Sequence, residues 1–292
     1  LAILTAQRGR APKRQINAYN PPALYDGMSG ELQLTISVRQ VSQITSRMLA
    51  LRPTVLYVPL EELVEHPELP GLLGVETQLA AILPRVVWSG ENQRLAQQLR
   101  SVYAMGVRQL LAGNLGQVRI AKAAGFAVRG DFGLNIFNSA SAQVARELKL
   151  ASATLSFEMT LPQIRDISKA VNMELIAYGR LPLMITEQCL IKNKTGECAC
   201  QTGVPVKLTD KTGADFPVIK EADTCRSVLL NGKKLYWLDR QNDLAKLGLW
   251  AIRLNFTTEN AREVDRVLEE YLVPTSFDPG ACTRGLYLRG VE

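Results

Sequence analysis

The feature that most constrains this chain is a repeated beat. Short apolar runs rich in β-branched residues alternate with amphipathic stretches, and eight such runs fall between residues 32 and 256. They are Leu32–Val38, Thr54–Leu60, Ala80–Val87, Gln109–Ala112, Ala127–Phe132, Thr154–Phe157, Met173–Tyr178 and Trp250–Phe256. Their lengths suit buried strands, which are shorter than helices. Helical patterns lie at Ser42–Leu51, Glu91–Met105, Leu115–Ala124, Ala140–Leu148, Leu161–Val171 and Thr258–Tyr271. In the second of these, Leu95, Leu99, Val102 and Met105 recur at helical spacing and make one face apolar. Strands that alternate with helices predict a parallel sheet with helices packed outside it. Eight units predict a (β/α)₈ TIM-barrel-like domain of the α/β class. A doubly wound open sheet is the alternative, but no G-x-G-x-x-G follows a strand to mark a dinucleotide site.

The beat is interrupted once. About seventy residues, not a single helix, separate the seventh run from the eighth. The segment 185–240 carries four of the five cysteines and two hairpin-like stretches, Val204–Val218 and Cys225–Leu238. Asn231-Gly232 is a strong signal for a two-residue hairpin turn. This reads as a Cys-bearing, β-rich lobe inserted between strands seven and eight, over the C-terminal mouth where barrels keep their chemistry. Residues 1–30, with Pro12, Pro21, Pro22, Gly27 and Gly30, read as an irregular tail or linker before a barrel domain spanning 31–292. A chain that starts without Met is expected to be part of a longer protein, with N-terminal domains as its partners.

Charge and histidine content exclude several classes. The net charge is +6, of which Arg8, Arg10, Lys13 and Arg14 supply four, leaving +2 for the remainder. The basic character therefore belongs mainly to the tail, as a solvated linker or a nucleic-acid arm. The single histidine, His66, sits between Glu65 and Pro67 in loop-like sequence. A Ser-His-Asp or Cys-His triad needs an imidazole beside its nucleophile, and catalytic zinc sites usually need two or three. No uninterrupted apolar run is long enough to cross a bilayer, and the early cations follow the first apolar stretch where an export signal has them before it. The expected location is cytoplasmic.

Cys189, Cys198, Cys200 and Cys225 follow the spacing C-x₈-C-x-C-x₂₄-C, while Cys282 stands apart. A chain of 292 residues buries enough surface to need no disulfide staple. Inert buried thiols are the plain alternative, against which the polar, glycine-bearing stretch 192–200 argues. Four thiolates hold either zinc or an iron–sulfur cluster, and spacing alone leaves both open. Near the same mouth, Arg180 and Glu187 follow strand seven, as an anion clamp or as a mutual salt bridge. Glu158 ends strand six as a candidate acid/base group. Asn135 and Asn138 follow strand five, either at substrate or as turn and cap residues. Arg284 and Arg289 lie in TRGLYLRG, to guard an anionic site or to pin the C-terminal tail. Tyr236 and Trp237 could stack a base, although a hairpin core is the plainer use.

Several segments together resemble the peptidase U32 family, the collagenase-like proteases. They are GDFGLNIFNS (Gly130–Ser139), TLSFEMTLPQI (Thr154–Ile164), ELIAYGRLPLMITEQCLI (Glu174–Ile191), FPVIKEADTC (Phe216–Cys225) and CTRGLYLRGV (Cys282–Val291). The third is the most specific, running from an acidic residue through an aromatic and glycine to a cysteine. The likeness covers roughly residues 30–292 and fits the C-terminal barrel of longer members. Relatives include proteins that hydroxylate RNA or a ubiquinone precursor and hold a [4Fe–4S] cluster. The resemblance therefore implies a cluster on Cys189, Cys198, Cys200 and Cys225, with zinc as the alternative, and RNA or a small aromatic as substrate. It also implies two other readings: a peptidase, as the family name says, or a non-catalytic accessory barrel.

Overall fold

The computed structural model describes residues 20–27, 30–197, 206–221, 224–273 and 280–290. Its strands, in chain order, are β1 (Gln33–Ser37), β2 (Val55–Pro59), β3 (Gln78–Ile82), β4 (Gln109–Ala112), β5 (Ala127–Gly130), β6 (Ser152–Thr154), β7 (Asn172–Gly179), β8 (Pro182–Thr186), β9 (Val206–Thr209), β10 (Asp215–Lys220), β11 (Ser227–Leu230), β12 (Lys234–Tyr236), β13 (Ala251–Asn255) and β14 (Cys282–Thr283). Its helices are α1 (Ser46–Ala50), α2 (Leu60–Glu65), α3 (Leu69–Leu72), α4 (Asn92–Ala104), α5 (Leu115–Ala123), α6 (Ser139–Glu147), α7 (Leu161–Asp166), α8 (Leu190–Thr195), α9 (Gln241–Ala245) and α10 (Ala261–Leu272).

Strands β1 to β7 pair in parallel in sequence order, and β13 closes the ring by pairing with both β7 and β1. The eight expected runs supply the eight staves, so the (β/α)₈ fold holds and the open sheet does not. Alternation within each stave explains why these residues make a barrel. Leu56 and Val58 of β2 join the core shared with the helices, while Val55 and Tyr57 point inward with Ala80, Leu111, Trp250 and Ala251. Helix α4 buries Leu95, Leu99 and Val102, three members of its expected apolar face. Side-chain caps start several helices: Thr45 for α1, Asn114 for α5, Asn138 for α6, Thr160 for α7 and Asn260 for α10.

Some boundaries move. The third run stops at Ile82, because Pro84 has no N–H to donate to a ladder. Helix α2 starts where the second run ends, directly after Pro59. The inserted lobe is a separate antiparallel sheet in the order β8-β11-β10-β9. The expected Val204–Val218 hairpin corresponds to β9 and β10, paired antiparallel. The expected Cys225–Leu238 hairpin does not form. Its first half, β11, pairs with β10 and β8, whereas its second half, β12, leaves the lobe and pairs antiparallel with the end of β7. Short β6 frees that edge of β7 beyond Glu174, and β12 takes it. Asn231-Gly232 is thus the crossing from lobe to barrel. Trp237 and Tyr236, at this junction, are buried and offer no stacking platform.

Of the tail, residues 20–27 are described and irregular. They dock on the barrel through Ser168, whose Oγ accepts from Tyr25 N–H at 3.0 Å and donates to the Ala23 carbonyl at 3.1 Å. The basic residues between 8 and 14 lie outside the described residues. No helix among the described residues is long and apolar enough to cross a membrane.

Candidate functional site

The barrel lumen is charged. Strand β7 places Glu174 inward, fully buried, and β13 places Arg253 inward with 2% exposure. Glu174 accepts from Arg253 Nη2 and Thr35 Oγ1 through very short contacts, from Thr154 Oγ1 at 3.0 Å and from Tyr57 Oη at 3.3 Å. Burial alone would push its carboxyl up, but the Arg253 charge and these hydrogen bonds outweigh burial and hold it below the ordinary range. Arg253 also donates Nη1 to Asp131 Oδ1 at 2.7 Å and lies 4.4 Å above the Tyr57 ring. Around the ring, Arg129 donates to Gln109, Gln78 and Ser152. Of these groups, Glu174, Arg253 and Asp131 form the chain that leads from the lumen to the C-terminal mouth.

At the mouth a cavity of about 520 Å³ lies between the barrel and the lobe. Its floor comes from the ends of the staves: Ser37, Pro59, Ile82, Leu111, Asp131 and Asn255, with Arg253 beneath. Pro182, Ile219, Val228 and Leu230 of the lobe form its roof. Phe132 supplies an aromatic wall, and the Arg85 guanidinium sits 5.3 Å from that ring. Charged side chains, among them Arg39, Glu61, Glu62, Arg85, Lys220 and Glu221, surround these apolar surfaces, and a cleft of this size suits one small polar ligand.

The lobe is tied down by Arg226, which is 3% exposed. Its Nη2 reaches both Glu91 oxygens at 2.9 Å, its Nη1 reaches the Val86 carbonyl at 3.0 Å and its Nε reaches Glu187 at 2.6 Å. Glu221, also on the cavity wall, accepts from the Arg85 amide at 2.9 Å, and its burial pushes the carboxyl up.

The expected site residues divide. Arg180 lines the cavity, but its Nη1 donates to the carbonyls of Asn231, at 2.9 Å, and Gly232. Glu187 is exposed and accepts from Trp88 Nε1 at 2.6 Å and from Arg226, so the expected Arg180–Glu187 bridge is absent. Each side chain meets a nearer partner first. Glu158 is exposed and does not line the cavity. Asn135 adopts a left-handed conformation, φ 52°, at the end of a short turn. Asn138 caps α6, accepting from Ser141 N–H at 2.9 Å. Both therefore serve backbone geometry outside the cavity. Asn138→Ala is expected to cost about 1 kcal/mol in urea unfolding, the usual loss for such a cap. Arg284 pairs with both oxygens of Asp239 at 2.6 Å and with the Tyr236 carbonyl at 2.8 Å, fastening the C-terminal segment. Arg289 is exposed. His66 is not among the cavity residues and sits 3.1 Å from Glu68.

Cys189 caps α8, its sulfur accepting from Lys192 N–H, and Cys225 is exposed just before β11. Their segments adjoin: Thr186 is paired with Ser227, and the Leu190 amide donates to Ser227 Oγ at 3.1 Å. Cys198 and Cys200 lie outside the described residues. Among the described residues, no three potential ligands of the His, Cys, Asp and Glu types converge. Cys189 and Cys225, two of the four expected ligands, therefore stand on neighbouring segments of the lobe. Cys282 sits on β14, outside the lobe.

Sequence reasoning missed Arg253, Glu174, Asp131 and Arg226. A signal existed for two of them: an isolated charge in the strand runs MELIAY and WAIRLNF.

Comparison with solved structures finds similarity to the U32 peptidase Mk0906, at 10% identity and a TM-score of 0.42, covering 86% of this chain and 100% of that one. The spore cortex-lytic enzyme SleL of Bacillus megaterium QM B1551 is similar at 12% identity and a TM-score of 0.40, covering 90% of this chain and 78% of that one. No curated protein matches the chain. The model of peptidase family U32 matches residues 75–273, most of the barrel and the whole lobe. The chain belongs to peptidase family U32.

Proposed function

We propose that this U32 protein is a modification enzyme of the hydroxylase type, taking an RNA base or a small aromatic into the cavity between barrel and lobe. One observation carries the reading. The lobe that bears the cysteines also roofs a cavity with room for a small ring-bearing ligand. The Phe132 wall and the apolar roof suit a planar ring, and Asp131, fixed by Arg253, offers a hydrogen-bond acceptor at its edge. A base in a duplex would have to leave the stack to enter. Cys189, Cys198, Cys200 and Cys225 would hold a [4Fe–4S] cluster, with zinc as the alternative. Such a cluster supplies one-electron chemistry when bound. The chain's own residues close the site, exclude water and orient the ring.

The family's name supports a peptidase as the second reading. With His66 away from the cavity, its chemistry would fall to carboxylates such as Asp131, Glu61 and Glu62. A third reading is an accessory barrel without its own reaction. Anaerobic purification with iron, sulfide and zinc analysis separates them. The expected result is brown protein with about four iron and four sulfide per chain, falling sharply in Cys189→Ser and Cys225→Ser. One zinc per chain, lost in the same variants, would favour the alternative metal. Protein free of both, equally stable with all four lobe cysteines changed to serine, would overturn the reading.

A further inference from the structure

The lobe is attached to the barrel at two opposite places. The chain enters it after Leu181 and leaves it at Leu230, and these crossings lie side by side. The Asn231 amide donates to the Leu181 carbonyl at 2.8 Å, and Arg180 braces the carbonyls of Asn231 and Gly232. Both crossings adjoin β7, with β12 paired to its end. The second attachment is made, among the described residues, to residues 85–91, which follow β3. There Arg226 grips Glu91 and the Val86 carbonyl, Trp88 donates to Glu187, and the Arg85 amide donates to Glu221. In a ring of eight staves ordered β13-β1-β2-β3-β4-β5-β6-β7, β3 and β7 stand diametrically opposed. Among the described residues, the four lobe strands pair only with one another and make no ladder with the barrel. The cavity lies between the two attachments, with Val228 and Ile219 above and Leu111 below.

We propose that the lobe is a lid, hinged at the β7–β12 crossing and latched by Arg226 against the segment 85–91, which controls entry to the cavity. The lid motion stands on its own, and only its use in admitting substrate rests on the cavity being the ligand site proposed above. Backbone crossings are continuous and cross-braced, whereas the latch consists of side-chain and single-amide hydrogen bonds. Opening therefore breaks the latch first and leaves the barrel closed, as sub-global opening does elsewhere.

The test uses amide hydrogen exchange on the full chain. Residues 215–220 and 227–230 are expected to exchange through an opening that leaves residues 172–179 and 251–255 protected. Glu91→Gln, which removes the charge from the latch while keeping its shape, is expected to speed lobe exchange roughly tenfold or more without changing barrel exchange. Ser37→Cys places a thiol under the roof, and its modification by Ellman's reagent, read by peptide mass, is expected to accelerate by the same factor in the Glu91→Gln background. Arg226→Met should show a larger increase. Exchange of lobe and barrel in parallel, or a thiol that reacts at one rate in both backgrounds, would overturn the lid. Metal content does not enter these readouts, so failure of the cluster reading leaves them interpretable.

Discussion

Replacing Glu174 with alanine should cost about 3–5 kcal/mol of stability, measured by urea unfolding at pH 7, because it strands the Arg253 charge inside the barrel. Arg253 keeps Asp131, but that partner sits at the rim, and the centre of the lumen loses its only fully buried carboxylate among the described residues. The double change Glu174→Leu with Arg253→Met should recover most of the loss, since apolar residues of similar volume replace buried ion pairs at little cost. If the double variant were as unstable as the single one, the pair would not be acting as a charge pair. The same carboxylate sets an acid dependence. Its folded-state pKa lies below the ordinary value of 4.5. The group therefore contributes stability that is fully present above that value and drains away as pH falls through the lower, folded-state one. Glu174→Gln is expected to flatten the wild-type decline of stability below about pH 4.5.

Gly179→Ala should cost about 4 kcal/mol and lower the melting temperature by roughly 10 °C in a domain of this size. Gly179 ends β7 with φ 122°, a conformation that strains any L-residue. A β-carbon there would also overlap the carbonyl oxygen of Asn255 on the neighbouring stave. Strain and overlap contribute comparably, at ~1–3 kcal/mol each. The position sits where β7 meets both β13 and β12, so neither neighbour can withdraw without breaking a ladder. A melting temperature within two degrees of wild type, roughly the scatter of such scans, would contradict this account.

The staves were legible because parallel strands buried on both faces read as continuous apolar runs. The same continuity hid the lumen. Within LQLTISV nothing marks which residues turn inward, and in WAIRLNF the isolated charge of Arg253 marks a special position but not its partners, so Thr35 and Arg253 become site residues only once closure fixes the register. The lobe was legible as an interruption, and its first hairpin from turn chemistry. Asn231-Gly232 misled, because a two-residue turn signal states only that the chain can reverse there. The free edge of β7 decided where it went. Glu158 and Glu187 follow strands, yet the loops carry them outward. Asp131, which also follows a strand, stays on the cavity wall because Arg253 holds it.

The stave that completes the ring is made late. Both β1 and β7 wait for β13, which emerges after the whole lobe has been synthesised. Until then the nascent chain carries seven parallel strands with two raw hydrogen-bonding margins, the arrangement most prone to mispairing with other chains. Marriage of the first stave to the last is also a contact of very long sequence range, which slows folding. A ribosome-bound fragment ending before Trp250 should therefore behave as an adhesive open sheet, and chaperone demand should concentrate in the interval before the final stave arrives.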